Sequence, residues 1–165
     1  MEILVGLGGN LGRVDETFAR ALETLAGDGQ VVAASRLWRT RPVGPPQPDF
    51  LNAAAVIDWP GGPRSLLHRC RELETGAGRD RAREELWGPR VLDLDLLMAS
   101  MAVLRGAELE IPHPRFQQRR FALEPAAEVA PRWIHPLLGH TIETLAAQAR
   151  EREPDAILGV MSFEF

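Results

Sequence analysis

The sequence predicts an α+β protein, a largely antiparallel sheet with helices packed on it, and three observations carry that expectation. Strand-like and helix-like segments follow one another in the order β, α, β, β, α, β, the split βαβ arrangement, which leaves the helices on one face of the sheet. The strands differ in texture: Glu2 to Gly8 is a short apolar run, whereas Val91 to Met98 alternates leucine with polar residues. At 165 residues, 45% of them hydrophobic, the chain has the size and composition of one domain with one core. No repeat or composition break divides it, so a single domain over 1–165 is expected.

The first run ends in Gly8-Gly9-Asn10, a turn that glycine and asparagine enter easily. From about Val14 to Leu25, Phe18, Leu22 and Leu25 recur at helical spacing, and Asp28-Gly29 closes the helix. Val31 to Trp38 begins with β-branched residues and reads as a second strand. Residues 40–50 hold four prolines and form a stiff loop that is neither helix nor central strand. Leu51 to Trp59 returns to strand character, and Pro60-Gly61-Gly62-Pro63 interrupts it. Arg64 to Thr75 then sets Leu66, Leu67, Cys70 and Leu73 on one side of a helix. Gly76 to Pro89 is an arginine-rich loop, and the strand Val91 to Met98 follows, with Met101 to Leu104 as a candidate short partner. Ile111 to Arg120 is loop and turn, Ala122 to Val129 and Thr141 to Arg150 are helical, and the tail beyond Pro154 is weakly patterned. The two long loops exceed ordinary connections and are the places to look for function.

A net charge of −4 argues against nucleic acid as a main partner. All 19 basic residues are arginine, and Arg79, Arg81, Arg83 and Arg90 fall in one stretch, Arg115, Arg119 and Arg120 in another. Such clusters in an acidic chain suggest a small anionic ligand; a general preference for arginine over lysine explains the residue type but not the clustering. No run of about 18 apolar residues spans a membrane, and Met1 to Gly6 is too short and too quickly acidic for a signal peptide. A cytoplasmic protein is therefore expected. The lone Cys70 lies in an apolar helical pattern and reads as a structural thiol.

Asp93 and Asp95 are the sharpest chemical signal. In a strand, residues i and i+2 share a face, about 7 Å apart, and two such carboxylates call for a cation or for arginine. Carboxylates with phosphate oxygens hold magnesium; the alternative is the exposed polar face of an ordinary strand. Arg90 enters beside the pair, and Arg79 and Arg81 lie in a loop able to swing onto a ligand and neutralise developing charge. A solvated basic loop is the competing reading. His113, between Pro112 and Pro114, can bond a phosphate or a ribose, or serve as a structural donor. Phe50 and Phe121 border the two loops and can stack a flat heterocycle, or pack in the core, and Asn52 offers an amide to a ring edge. A P-loop is excluded because no lysine exists, and Gly6 to Gly12 lacks dinucleotide-fingerprint spacing.

From Gly8-Gly9-Asn10-Leu11 to about residue 150, the chain resembles the 6-hydroxymethyl-7,8-dihydropterin pyrophosphokinases. Three blocks carry the resemblance in order: Arg39-Thr40-Arg41-Pro42-Val43-Gly44-Pro45-Pro46-Gln47-Pro48-Asp49-Phe50-Leu51-Asn52, Trp87-Gly88-Pro89-Arg90-Val91-Leu92-Asp93-Leu94-Asp95-Leu96-Leu97, and Ile111-Pro112-His113-Pro114-Arg115 through Arg119-Arg120-Phe121. The resemblance implies a ferredoxin-like βαββαβ core with C-terminal helical additions and transfer of pyrophosphate from ATP to a pterin alcohol, releasing AMP, in folate synthesis. It implies that Asp93 and Asp95 bind two magnesium ions. Arg79, Arg81, Arg90, His113 and Arg119 contact the polyphosphate on this reading, with Glu74 near the nucleotide. Phe50 and Phe121 sandwich the pterin, Asn52 binds its edge, Thr40 and Val43 add backbone contacts, and Trp87 folds over the site. The chain departs from the family pattern at Gly9, where serine is common, and at Leu86, where a basic residue is usual. The proline loop is one residue short near Pro46-Gln47, and the arginine loop is one residue long, which leaves Arg81 and Arg83 as alternatives for its second arginine. Neither membrane nor nucleic acid is an expected partner, and a monomer is expected. The rival is a non-catalytic module of the same fold that binds nucleotides or nucleic acid; it lacks the sheet-face aromatics such modules use.

Overall fold

The computed structural model describes residues 1–79 and 88–165. Six strands form an antiparallel sheet: β1 (Glu2–Gly9), β2 (Gln30–Ala34), β3 (Leu37–Thr40), β4 (Phe50–Asp58), β5 (Asp93–Ala99) and β6 (Ile157–Met161). The order is β5-β1-β4-β3-β6, with β2 also paired to β4. Helices α1 (Val14–Asp28), α2 (Gly62–Gly76), α3 (Arg120–Val129) and α4 (Ile142–Arg152) connect and cover it, and a 3-10 turn spans Phe116–Gln118. No described helix is long and apolar enough to cross a membrane.

Strand alternation builds two cores. Ile3, Val5 and Leu7 of β1 and Ala53, Ala55 and Ile57 of β4 face α1 and α2, where Phe18, Leu22, Leu25, Leu66 and Cys70 complete the first cluster. Leu4, Ala54, Val56 and Leu97 point the other way, onto Leu123 and Ala126 of α3 and Ile142, Leu145 and Ala146 of α4. Each fully buried Leu, Ile or Phe contributes roughly 1.5–3 kcal/mol relative to exposure. The expected helical pair thus occupies one face, and the C-terminal pair covers the opposite one. Cys70 is buried within the first cluster, and burial, followed by Glu74 and Asp95, pushes its thiol up to about 12. It is a structural residue.

Two elements differ from expectation. The strand anticipated over Val31 to Trp38 is broken into β2 and β3, because Ser35 leaves the ladder to bond β4 with its side chain: Ala54 N donates to Ser35 Oγ at 2.9 Å, while Ser35 N donates to Ala54 O at 2.8 Å. The tail after Pro154 is not without structure, since β6 pairs with β3 from Leu37↔Met161 to Thr40↔Ile157. Its half-exposed side chains and central Gly159 leave no alternation to read. The strand forms because β3 offers an open edge.

Candidate active site

The second core covers only part of its face. At one end of the sheet Leu4, Ala54, Val56 and Leu97 lie under α3 and α4. Along the same strands, Gly6, Gly8, Asn52, Asp93 and Asp95 continue that face into an uncovered cleft of about 260 Å³. Sheet register fixes the floor: Gly8 pairs with Asn52 on one side and Asp93 on the other, and Gly6 with Ala54 and Asp95. Thr40, Val43 and Phe50 form one wall and His113, Arg119 and Phe121 the opposite one, with Arg79 and Arg90 beside the carboxylates.

The electrostatics centre on β5. Asp93 Oδ1 accepts from Arg79 Nη1 at 2.6 Å and Oδ2 from Arg90 Nη1 at 2.6 Å. Arg79 also donates to Glu74 Oε1 at 2.7 Å, and Leu94 N donates to the same oxygen at 2.8 Å. Asp95 is less well served, with Arg119 Nη1 3.8 Å from its Oδ2, beyond hydrogen-bond distance. Burial, then the neighbouring Asp93, pushes the Asp95 carboxyl up to about 6. Its side chain keeps 40% of its surface open to the cleft; the deep position of the carboxyl and the like charge of Asp93 outweigh that exposure and set the direction.

Two carboxylates on one strand face, one of them short of positive partners, fit a divalent cation. Among the described residues no group of three or more His, Cys, Asp or Glu converges on a metal position. Two carboxylates, with phosphate oxygens to complete the shell, are a donor set that could hold a divalent cation such as magnesium.

The walls are positioned by Asn10 and by the segment before α3. Asn10 Oδ1 accepts from Arg90 N at 2.8 Å, and Asn10 Nδ2 donates to Gln47 Oε1 at 3.0 Å and to Pro48 O at 2.9 Å. One buried amide thus joins the end of β1, the proline loop and the approach to β5. Asn52 Nδ2 donates to Thr40 Oγ1 at 2.7 Å, which holds the amide upright in the floor. His113 N donates to Leu97 O at 2.9 Å, so the loop after the cis Ile111–Pro112 bond is tied to β5. Burial, then Arg119 and Arg115, pushes His113 down to about 4. Arg115 N donates to His113 Nδ1 at 3.1 Å, so the neutral ring carries its proton on Nε2. The Arg119 guanidinium carbon lies 5.5 Å from the centroid of the Phe121 ring.

The structure thus brings Arg79, Arg90, Asp93, Asp95, His113, Arg119, Thr40, Val43, Phe50, Asn52 and Phe121 to one cleft. Two residues stand differently from expectation. Glu74 is 1% exposed, with its carboxylate turned to Arg79 and to the backbone of β5 rather than to the open cleft. Arg79 is 6% exposed between Glu74 and Asp93 rather than on a swinging loop, because a buried carboxylate needs a cation. Arg81, Arg83 and Trp87 lie outside the described residues. Sequence reasoning does not assign Asn10 its organising part; the signal for it is a polar residue directly after two glycines at the end of an apolar strand.

Comparison with known proteins gives the family. A family model described as 7,8-dihydro-6-hydroxymethylpterin-pyrophosphokinase (HPPK) matches residues 4–131. The chain belongs to the HPPK family. A Synechocystis 2-amino-4-hydroxy-6-hydroxymethyldihydropteridine pyrophosphokinase is 42% identical over 147 residues, covering 88% of this chain and 74% of that protein. The protein of the same name from Pseudomonas aeruginosa is 37% identical over 160 residues, covering 93% and 98%. Among solved structures, Plasmodium falciparum HPPK-DHPS with pteroate superposes with a TM-score of 0.70 at 13% identity, which supports the HPPK fold. That match covers 97% of this chain and 49% of the Plasmodium chain, so the present chain spans about half its length.

Proposed function

We propose that this cleft transfers the pyrophosphoryl group of ATP to the hydroxyl of 6-hydroxymethyl-7,8-dihydropterin, releasing AMP, in folate biosynthesis. Membership of the HPPK family supports the reaction. The carrying observation is the floor row Asp93–Gly8–Asn52, which sets a carboxylate and a ring-reading amide on either side of one side-chain-free position.

On this reading Phe50 and Phe121 take the two faces of the pterin and Asn52 its polar edge, with Thr40 fixing the Asn52 amide. Val43 completes that wall, and Thr40 and Val43 offer backbone groups. Arg79, Arg90 and Arg119 bind the polyphosphate, and His113 donates from Nε2. The pterin oxygen attacks the β-phosphorus, the bond from that phosphorus to the α,β-bridging oxygen breaks, and AMP leaves with that oxygen. The alcohol proton passes to solvent. Alignment of the two substrates and fixed positive charge supply the acceleration, with little covalent chemistry from the protein. Asp93 and Asp95 would hold two magnesium ions, which when bound neutralise the triphosphate and polarise its oxygens. Arg81 and Trp87 complete the proposed site, and the chain acts as one monomeric domain in the cytoplasm.

The test is to incubate the protein with ATP, magnesium and the pterin and measure AMP against ADP. AMP released only when pterin is present is the expected result. ADP instead, or no nucleotide product, overturns the proposal.

A further inference from the structure

Three glycines lie along the cleft end of β1, and a methyl group added to each meets a different fate. At Gly9 a Cβ would stand 2.7 Å from the backbone oxygen of Val91, so the backbone of this chain would have to shift to admit one. At Gly6 it would press on Leu97 Cδ1 at 3.1 Å, the end of a movable side chain. At Gly8 the nearest atoms are Asn52 Oδ1 at 3.4 Å and Asp93 Cβ at 3.9 Å, both ordinary contacts. Gly8 is not among the glycines of positive φ, and it pairs in regular register with both neighbours. Neither backbone conformation nor packing therefore requires glycine there, and glycine weakens a strand interior.

We propose that Gly8 is a specificity-determining residue: its missing side chain is the passage through which the substrate's one-carbon arm reaches from the ring site at Asn52 to the phosphate site at Asp93. The inference rests on the function proposed above. Adjacent strands are about 4.8 Å apart, so Asn52 and Asp93 stand two spacings from each other with Gly8 midway. A ligand touching both must lie on Gly8. A methyl group at that position displaces the ring and its arm from the floor and, among the described residues, meets none of the polyphosphate arginines. The site is thus selective for a flat ring with a short, unbranched arm lying flat on the sheet.

The experiment compares Gly8→Ala, Gly9→Ala and the unaltered protein by thermal midpoint, ATP affinity, pterin affinity and pterin-dependent AMP release. Gly8→Ala is expected to keep or raise the midpoint and keep ATP affinity, while pterin affinity falls at least about tenfold and kcat/KM about a hundredfold, the scale of a displacement of about 1 Å at a reacting centre. Gly9→Ala is expected to lower the midpoint. Gly8→Ala with unaltered pterin affinity and turnover overturns the proposal, and so does a loss shared equally by ATP and pterin or accompanied by a lower midpoint. If the unaltered protein releases AMP normally, either result sinks this inference alone; if it binds no pterin at all, the inference falls together with the function on which it rests.

Discussion

Two regions of the molecule set arginines against buried carboxylates, and they reach different ends. Between α3, α4 and the chain leading into β6, Glu124 is 2% exposed and accepts from Arg120 Nε at 2.9 Å and from Arg150 Nη2 at 2.8 Å. Arg120 Nη1 also donates to Glu153 O at 2.7 Å and Pro154 O at 2.9 Å. Burial works to raise the Glu124 pKa, but the hydrogen bonds from Arg150 and Arg120 outweigh it, and the net shift is downward. In the cleft, Glu74 and Asp93 are bonded to Arg79 and Arg90, whereas Asp95 beside them has no arginine in hydrogen-bond contact among the described residues, Arg119 standing 3.8 Å away, and shifts upward. The Glu124 cluster, away from the cleft and complete in itself, is a rivet. A carboxylate whose partners fall short marks a place where a ligand completes the charge balance.

The largest effect is expected at Asp95. Asp95→Ala should lower pterin-dependent AMP release by at least about 10²-fold, the scale of losing one transition-state contact, with the circular dichroism spectrum kept. Near-normal turnover would end the distinction drawn between the two clusters. Next comes Glu124→Gln, which takes the counter-charge from the largely buried Arg120 and the half-exposed Arg150 and should cost about 1.5–3 kcal/mol in urea unfolding at neutral pH, with most turnover retained below the transition. The acid limb sharpens the contrast. Because the Glu124 pKa is lowered on folding, its contribution is fully present above the ordinary glutamate value of about 4.3 and is lost as pH falls through the folded value. The thermal midpoint of the unaltered protein should therefore fall more steeply below about pH 4.3 than that of Glu124→Gln; parallel slopes would contradict the rivet. The smallest effect belongs to an exposed pair that ends on the same helix: Arg36→Ala, which breaks a bond to Glu128 with Arg36 59% exposed, should cost less than about 1 kcal/mol.

How much of the molecule is legible in its sequence follows from the range of each interaction. The i, i+2 spacing of Asp93 and Asp95 is enough to put both carboxylates on one strand face, alternation locates β5, an unbroken apolar run locates β1, and helical spacing locates α1 and α2. Arg120 and Glu124 are a readable i, i+4 pair, but Arg150, 26 residues beyond Glu124, joins them only through the packing of α4 on α3. The resemblance sets Glu74 near the nucleotide, but no pattern in the sequence records that Glu74 and Arg79 turn inward onto each other. The strand β6 is invisible in the sequence because its pairing comes from the free edge of β3, a property of another segment. The break between β2 and β3 needs the Ser35 side chain to stand in for a ladder bond, which periodicity does not record.

The amide of Asn10 has a mechanical consequence. It clasps Gln47, Pro48 and Arg90 at once, so the proline loop is not a free flap but is tied to the end of β1 and to the approach to β5 by a single side chain. Such a wall yields as a whole or not at all. Insertions at the outer tip of the loop are absorbed there, whereas a change at position 10 is felt at once in the proline loop and at Arg90 beside the carboxylates.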